Sequence, residues 1–196
     1  AARFGSPGTV LIGLGLEVIG VVALAFLVSA TTPGWLIAIP LVVYGLGLGL
    51  ASAQLTGTVL RDVPVEVSGQ GSATQSTVRQ IGSALGTAFA GGTLSVALAL
   101  TLPAALNAAG LTGDAADELA AATRQSAGTT ITQLRAGGDA GSFGDQAAGA
   151  ADALAAGFAD ATRWSLLVAS VFLLLGLVGA ARLRRAATAE DADITA

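Results

Sequence analysis

Apolar residues in this chain come in long unbroken runs. Four stretches, Thr9 to Val28, Leu36 to Leu60, Gln80 to Leu102 and Trp164 to Ala181, consist mainly of aliphatic and small residues. A helix rising ~1.5 Å per residue needs roughly 20 such residues to cross a hydrocarbon layer ~30 Å thick. The pattern predicts an all-α membrane protein with four transmembrane helices, since in lipid each segment must close its own backbone hydrogen bonds. Two polar intervals separate the runs. A segment over 61–79 carries two arginines, two acids and a line of small polar residues, and a long Ala/Gly/Asp-rich interval covers 103–162. A charged tail, 182–196, follows the last run.

Composition sharpens that picture. Hydrophobic residues make up 53% and charged residues 11%, with a mean hydropathy of +0.74, whereas a soluble domain carries ~25% charge. An ordinary water-soluble globule is excluded. The chain has no cysteine and no histidine, which removes disulfides, thiol chemistry, zinc sites built on those ligands and histidine acid–base catalysis. No enzyme activity, cofactor, metal or nucleic-acid partner is expected. The opening AARFGSPG lacks both a starting methionine and the layout of a signal peptide, so further chain is expected upstream.

Topology follows from the arginines, because basic residues flanking short loops favour the cytoplasmic side. Arg182, Arg184 and Arg185 close the fourth span, so the C-terminus is expected inside. Counting back puts Arg3, Arg61 and Arg79 inside too, and Arg124, Arg135 and Arg163 outside. On the outer side, Pro33-Gly34 reads as a tight turn between the first two spans, and Trp35 and Trp164 read as interfacial anchors. The interval 103–162 holds seven acids against Arg124 and Arg135 and is expected to be a solvated extracytoplasmic connector. Within it, Asp114 is positioned to cap a helix running to about Ser126, and Ser142 to Asp145 matches a capping box.

Helices in a bilayer associate through close backbone contact, which residues of small volume four apart permit. Gly45, Gly49, Ala53 and Gly57 show that spacing, as do Gly82, Gly86 and Ala90, and Gly176 with Ala180. Polar residues on the same two central helices, Tyr44, Gln54 and Thr58 before the break and Thr74, Thr77, Arg79 and Gln80 after it, either bond back to their own helix or line a cavity. Glu17 stands near the middle of the first span with no other acid or base at that depth in any span. Its charge must be answered by a proton or by a partner beyond this chain, which makes it a candidate for proton coupling.

Read in order, Arg61 and Asp62 end the second helix, Pro64 stops its continuation, and Gly69 and Gly71 permit a sharp turn before a helix that starts near Ser72. The residues Val63-Pro64, Glu66, Gly69, Gly71-Ser72-Ala73, Arg79-Gln80-Ile81-Gly82 and Leu85-Gly86 resemble a linker and helix found late in fourteen-helix drug:proton antiporters of the major facilitator superfamily. Ser83 departs from that pattern, standing where a second glycine is usual. YGLGLGLA before the block, and AAGFADATRWSLLVASVFLLLG near the end, are also similar to that family.

The resemblance implies that the four spans are the last of fourteen, a partial C-terminal bundle in a bacterial plasma membrane, with the final three forming one structural repeat. It further implies proton-coupled efflux of amphipathic small molecules by alternating access, with the missing upstream helices as partners beside the lipid bilayer. Faces of the second and third helices would border a cavity. The 61–79 segment would serve as a cytoplasmic hinge and gate support, Arg79 pairing with Asp62, Glu66 or helix-end carbonyls. The first helix would lie in the outer ring, which weakens the case for Glu17. The rival reading from the residues alone is a self-contained four-helix membrane scaffold or assembly protein.

Overall fold

A computed structural model describes residues 5–60, 63–137 and 144–194. These form α1 (Gly5–Leu27), α2 (Gly34–Leu60), a 3-10 turn (Val65–Val67), α3 (Ser68–Ala108), α4 (Asp114–Gln125), α5 (Thr129–Arg135), a second 3-10 turn (Gly144–Gln146) and α6 (Ala147–Ile194). Among the described residues there is no strand. Four helices, α1, α2, α3 and α6, are long and apolar enough to cross a membrane. With 41 and 48 residues, α3 and α6 extend over roughly 60 and 70 Å, about twice the thickness of a hydrocarbon core.

Several of the expected boundaries move, among them those of α6, which runs from Ala147 to Ile194 where a span of Trp164 to Ala181 is expected. The helix predicted to begin near Ser72 starts at Ser68, whose hydroxyl donates to the Val65 carbonyl at 2.8 Å. Gly69 and Gly71 therefore lie inside α3 and supply no turn; the described connection before α3 is confined to 63–67. Arg61 and Asp62 lie outside the described residues. At its far end α3 runs through Pro103 to Ala108. A mid-helix proline costs about 3 kcal/mol, and here burial offsets it, since Leu102 and Leu106 beside it are 0% and 1% exposed.

In the interval expected to be a solvated connector with short helices, the described residues, 103–137 and 144–162, hold short helices that pack on α3 and α6 as a folded cap. Its core joins Leu98, Leu102 and Leu106 of α3, Leu111, Ala116 and Leu119 of the α4 region, Leu134 of α5, and Ala150, Ala151 and Leu154 of α6. Alanine explains the difference. A count of large apolar side chains misses it, yet it has the highest helix propensity and lets helices approach closely. Gly157 shows how close: a Cβ there would sit 3.0 Å from the Thr101 carbonyl oxygen. In α4 the N-cap is Gly113 at φ 93, not Asp114, which occupies the first helical position and makes no side-chain cap. Ser142 of the expected capping box lies outside the described residues.

Helix packing pairs α1 with α2, α3 with α6 and α1 with α6, while α2 and α3 scarcely meet. The α1–α2 seam uses Gly13, Gly20 and Gly47. A Cβ at Gly13 would fall 2.7 Å from the Ala51 nitrogen, one at Gly20 2.8 Å from Tyr44 Cβ, and one at Gly47 2.7 Å from the Glu17 nitrogen. The expected packing residues Gly45, Gly49, Gly57, Gly82 and Gly86 meet nothing within 4 Å. Two positions along a helix turn it by about 200°, so Gly45 and Gly49 face away from the seam that Gly47 and Ala51 make.

Candidate functional site

Because α2 and α3 stand apart, a groove opens between them with α1 and α6 as its other walls. Its volume is about 720 Å³, and it is lined by Gly20, Val21 and Leu24 of α1, Leu41 and Tyr44 of α2, a strip of α3 from Gly82 to Thr93, and α6 from Ser165 to Leu173. Gly82 and Gly86 leave bare backbone along the α3 wall, so these glycines widen the groove instead of joining helices. Phe89 and Phe172 close the α3–α6 side as an edge-to-face pair with centroids 4.7 Å apart at 70°. A second recess of about 630 Å³ lies along α3 and shares Phe89 and Thr93 with the first.

The groove is electrically quiet. Among the described residues no acid or arginine lines it, and its polar side chains are Tyr44, Thr93 and Ser165. Thr93 donates to the Phe89 carbonyl at 2.8 Å and Ser165 to the Ala161 carbonyl at 2.9 Å, so both hydroxyl protons serve their own helices. Such walls accept an apolar or ring-bearing moiety, for which contact area and aromatic edges supply the attraction.

Of the cavity residues expected from sequence, Tyr44 reaches the groove, while Gln54, Thr74 and Thr77 do not line it. Gln54 is half-buried, Thr74 is exposed, and Thr77 bonds back to the Ala73 carbonyl at 3.0 Å. The Thr58 side chain lies outside the described residues. Sequence reasoning missed Phe89, Phe172, Leu24 and Leu41; as single apolar residues within apolar runs they carry no local signal.

The link between α2 and α3 runs through Gln75, whose Nε2 donates to Thr56 Oγ1 at 3.3 Å. Arg79 and Gln80 are exposed on α3, and Pro64 and Glu66 are exposed before it. Among the described residues Arg79 forms no ion pair with Glu66, and the alternative partner Asp62 lies outside them. Glu17 is 6% exposed at the α1–α2 seam and has no ion-pair partner among the described residues.

No family model matches the chain, and no solved structure matches it. It is similar to the riboflavin transporter RibZ of Clostridioides difficile (strain 630), at 34% identity over 87 residues, 44% of this chain and 19% of the relative. The match thus spans about one fifth of the relative's length. Together with four membrane-length helices, this distant kinship makes the chain a multi-pass membrane protein related to a transporter.

Proposed function

We propose that this chain is the C-terminal part of a proton-coupled efflux transporter of the major facilitator type, working by alternating access on amphipathic, ring-bearing small molecules. The observation that carries the reading is the uncharged groove of about 720 Å³ framed by all four long helices. The distant likeness to a riboflavin transporter supports a small-molecule transport reading. In this reading the Arg79 end of the bundle and the tail after Arg182 face the cytoplasm of a bacterium, and the α4–α5 cap lies on the opposite side. Glu17 is the candidate proton carrier, seated where α1 and α2 approach most closely.

The test is reconstitution. Proteoliposomes holding the full-length parent are expected to extrude a ring-bearing dye when a proton gradient is imposed, and Glu17→Gln is expected to weaken the dependence on that gradient. Vesicles holding these 196 residues alone are expected to show no such efflux. Gradient-independent movement by the parent, or equal efflux by the two proteins, would overturn the proposal.

A further inference from the structure

The end of α1 is finished by side chains that come from elsewhere. A helix leaves its last carbonyls without intrahelical partners. In α1 the Leu27 carbonyl accepts from Thr32 Oγ1 at 2.6 Å. The Ala25 and Val28 carbonyls accept from Arg163 of α6, through Nε at 3.2 Å and Nη2 at 3.1 Å. The third edge of the same guanidinium, Nη1, lies 3.3 Å from Asp160 Oδ1. Ala25 is 0% exposed, so its carbonyl has little access to water as a substitute.

We propose that Arg163 is a positioning residue that clamps α6 to the C-terminal turn of α1, so that the cap and the first helix move as one body. Three features support this. The Nε–Nη2 edge of a guanidinium presents two parallel donors at fixed spacing, which an ammonium does not. A cation at a helix C-terminus also meets the negative end of the helix dipole. The clamp sits beside a cleft of about 350 Å³ that leaves Ser29 and Ala30 of the α1–α2 turn apart from Ile131 and Phe158; Phe158, on α6 like Arg163, packs against the cap core, so motion of the cap passes along α6 and reaches the end of α1 through the Arg163 bonds. The consequence for transport rests on the function proposed above.

Hydrogen–deuterium exchange on the full-length parent in proteoliposomes tests the clamp without assuming any transport. Arg163→Ala is expected to speed exchange at the backbone amides of 25–28, the last hydrogen-bonded turn at the end of α1, by about tenfold, the scale of losing hydrogen bonds from a charged donor, with amides of 94–98 on α3 as the control for folding. Arg163→Lys is expected to recover less than half of that protection. If Arg163→Ala fails to fold, Asp160→Asn, which frees one edge of the guanidinium, is expected to speed the same amides about threefold, the scale of a partly exposed ion pair. Unchanged exchange in these variants, or full protection with lysine, would overturn the clamp. In transport, Arg163→Ala is expected to lower the maximal rate at unchanged half-saturation; an unchanged maximal rate beside faster exchange would overturn the positioning role. A parent that shows the exchange effect yet transports nothing would count against the proposed function and not against the clamp.

Discussion

Phe89 on α3 and Phe172 on α6 meet edge to face, their ring centroids 4.7 Å apart and their planes at 70°. Both line the groove between the four long helices. An edge-to-face pair contributes about 0.5–1.5 kcal/mol beyond its buried area, so the two rings hold α3 to α6 while lining the groove.

Phe89→Ala in the full-length parent is therefore expected to raise the half-saturating concentration of a ring-bearing substrate by about threefold to tenfold. Phe89→Leu is expected to raise it less. Initial-rate titrations in proteoliposomes measure this, and an unaltered half-saturation in both variants would take Phe89 out of the binding wall.

Glycines two positions apart on α2 are expected to behave in opposite ways. Gly47→Ala pushes a Cβ to within 2.7 Å of the Glu17 nitrogen, and overpacking of that kind costs about 1–3 kcal/mol. Gly45→Ala meets nothing within 4 Å and is expected to stabilise this chain by up to about 1 kcal/mol, the helix-propensity gain of alanine over glycine in a helix interior. Thermal unfolding of the two variants in detergent compares them; equal losses would mean that α1 does not seat on the Gly47 face.

The cap makes its own prediction. Leu154 is fully buried among α3, α4 and α6 residues, and Leu154→Ala is expected to cost about 2–5 kcal/mol. Brief trypsin treatment gives the readout, because Arg124 and Arg135 lie at the ends of α4 and α5. Wild-type protein should resist cleavage at both, and the variant should not. Immediate cleavage of the wild type would restore the picture of a solvated connector.

Arg79 is exposed on the N-terminal half of α3 near the Gln75–Thr56 contact, whereas Arg124 closes α4 in the cap. At matched expression, Arg79→Ala in the parent is expected to reduce efflux more than Arg124→Ala does, as dye-accumulation assays in intact cells would register. Comparable efflux from the two would remove Arg79 from the functional residues.

How much of this was legible beforehand differs from residue to residue. Tyr44 carries in sequence only the choice between bonding back to its own helix and lining a cavity, and the structure puts it at the groove wall. Thr77 looked the same in sequence, yet its hydroxyl bonds to its own helix, an outcome that depends only on which rotamer the surroundings leave open. Gly45 and Gly49 carried the same spacing signal as Gly47 and Ala51; a repeat of four marks both faces of α2 as smooth, and the partner selects one.

The four membrane-length helices were determined by the sequence itself, since a bilayer responds to the length and polarity of each segment regardless of its neighbours. The groove, the cap and the Arg163 contact with the Ala25 and Val28 carbonyls were decided only in three dimensions. Backbone carbonyls have no residue identity to read, alanine surfaces become a core only when another surface lies against them, and a gap between helices exists only once their registers are set.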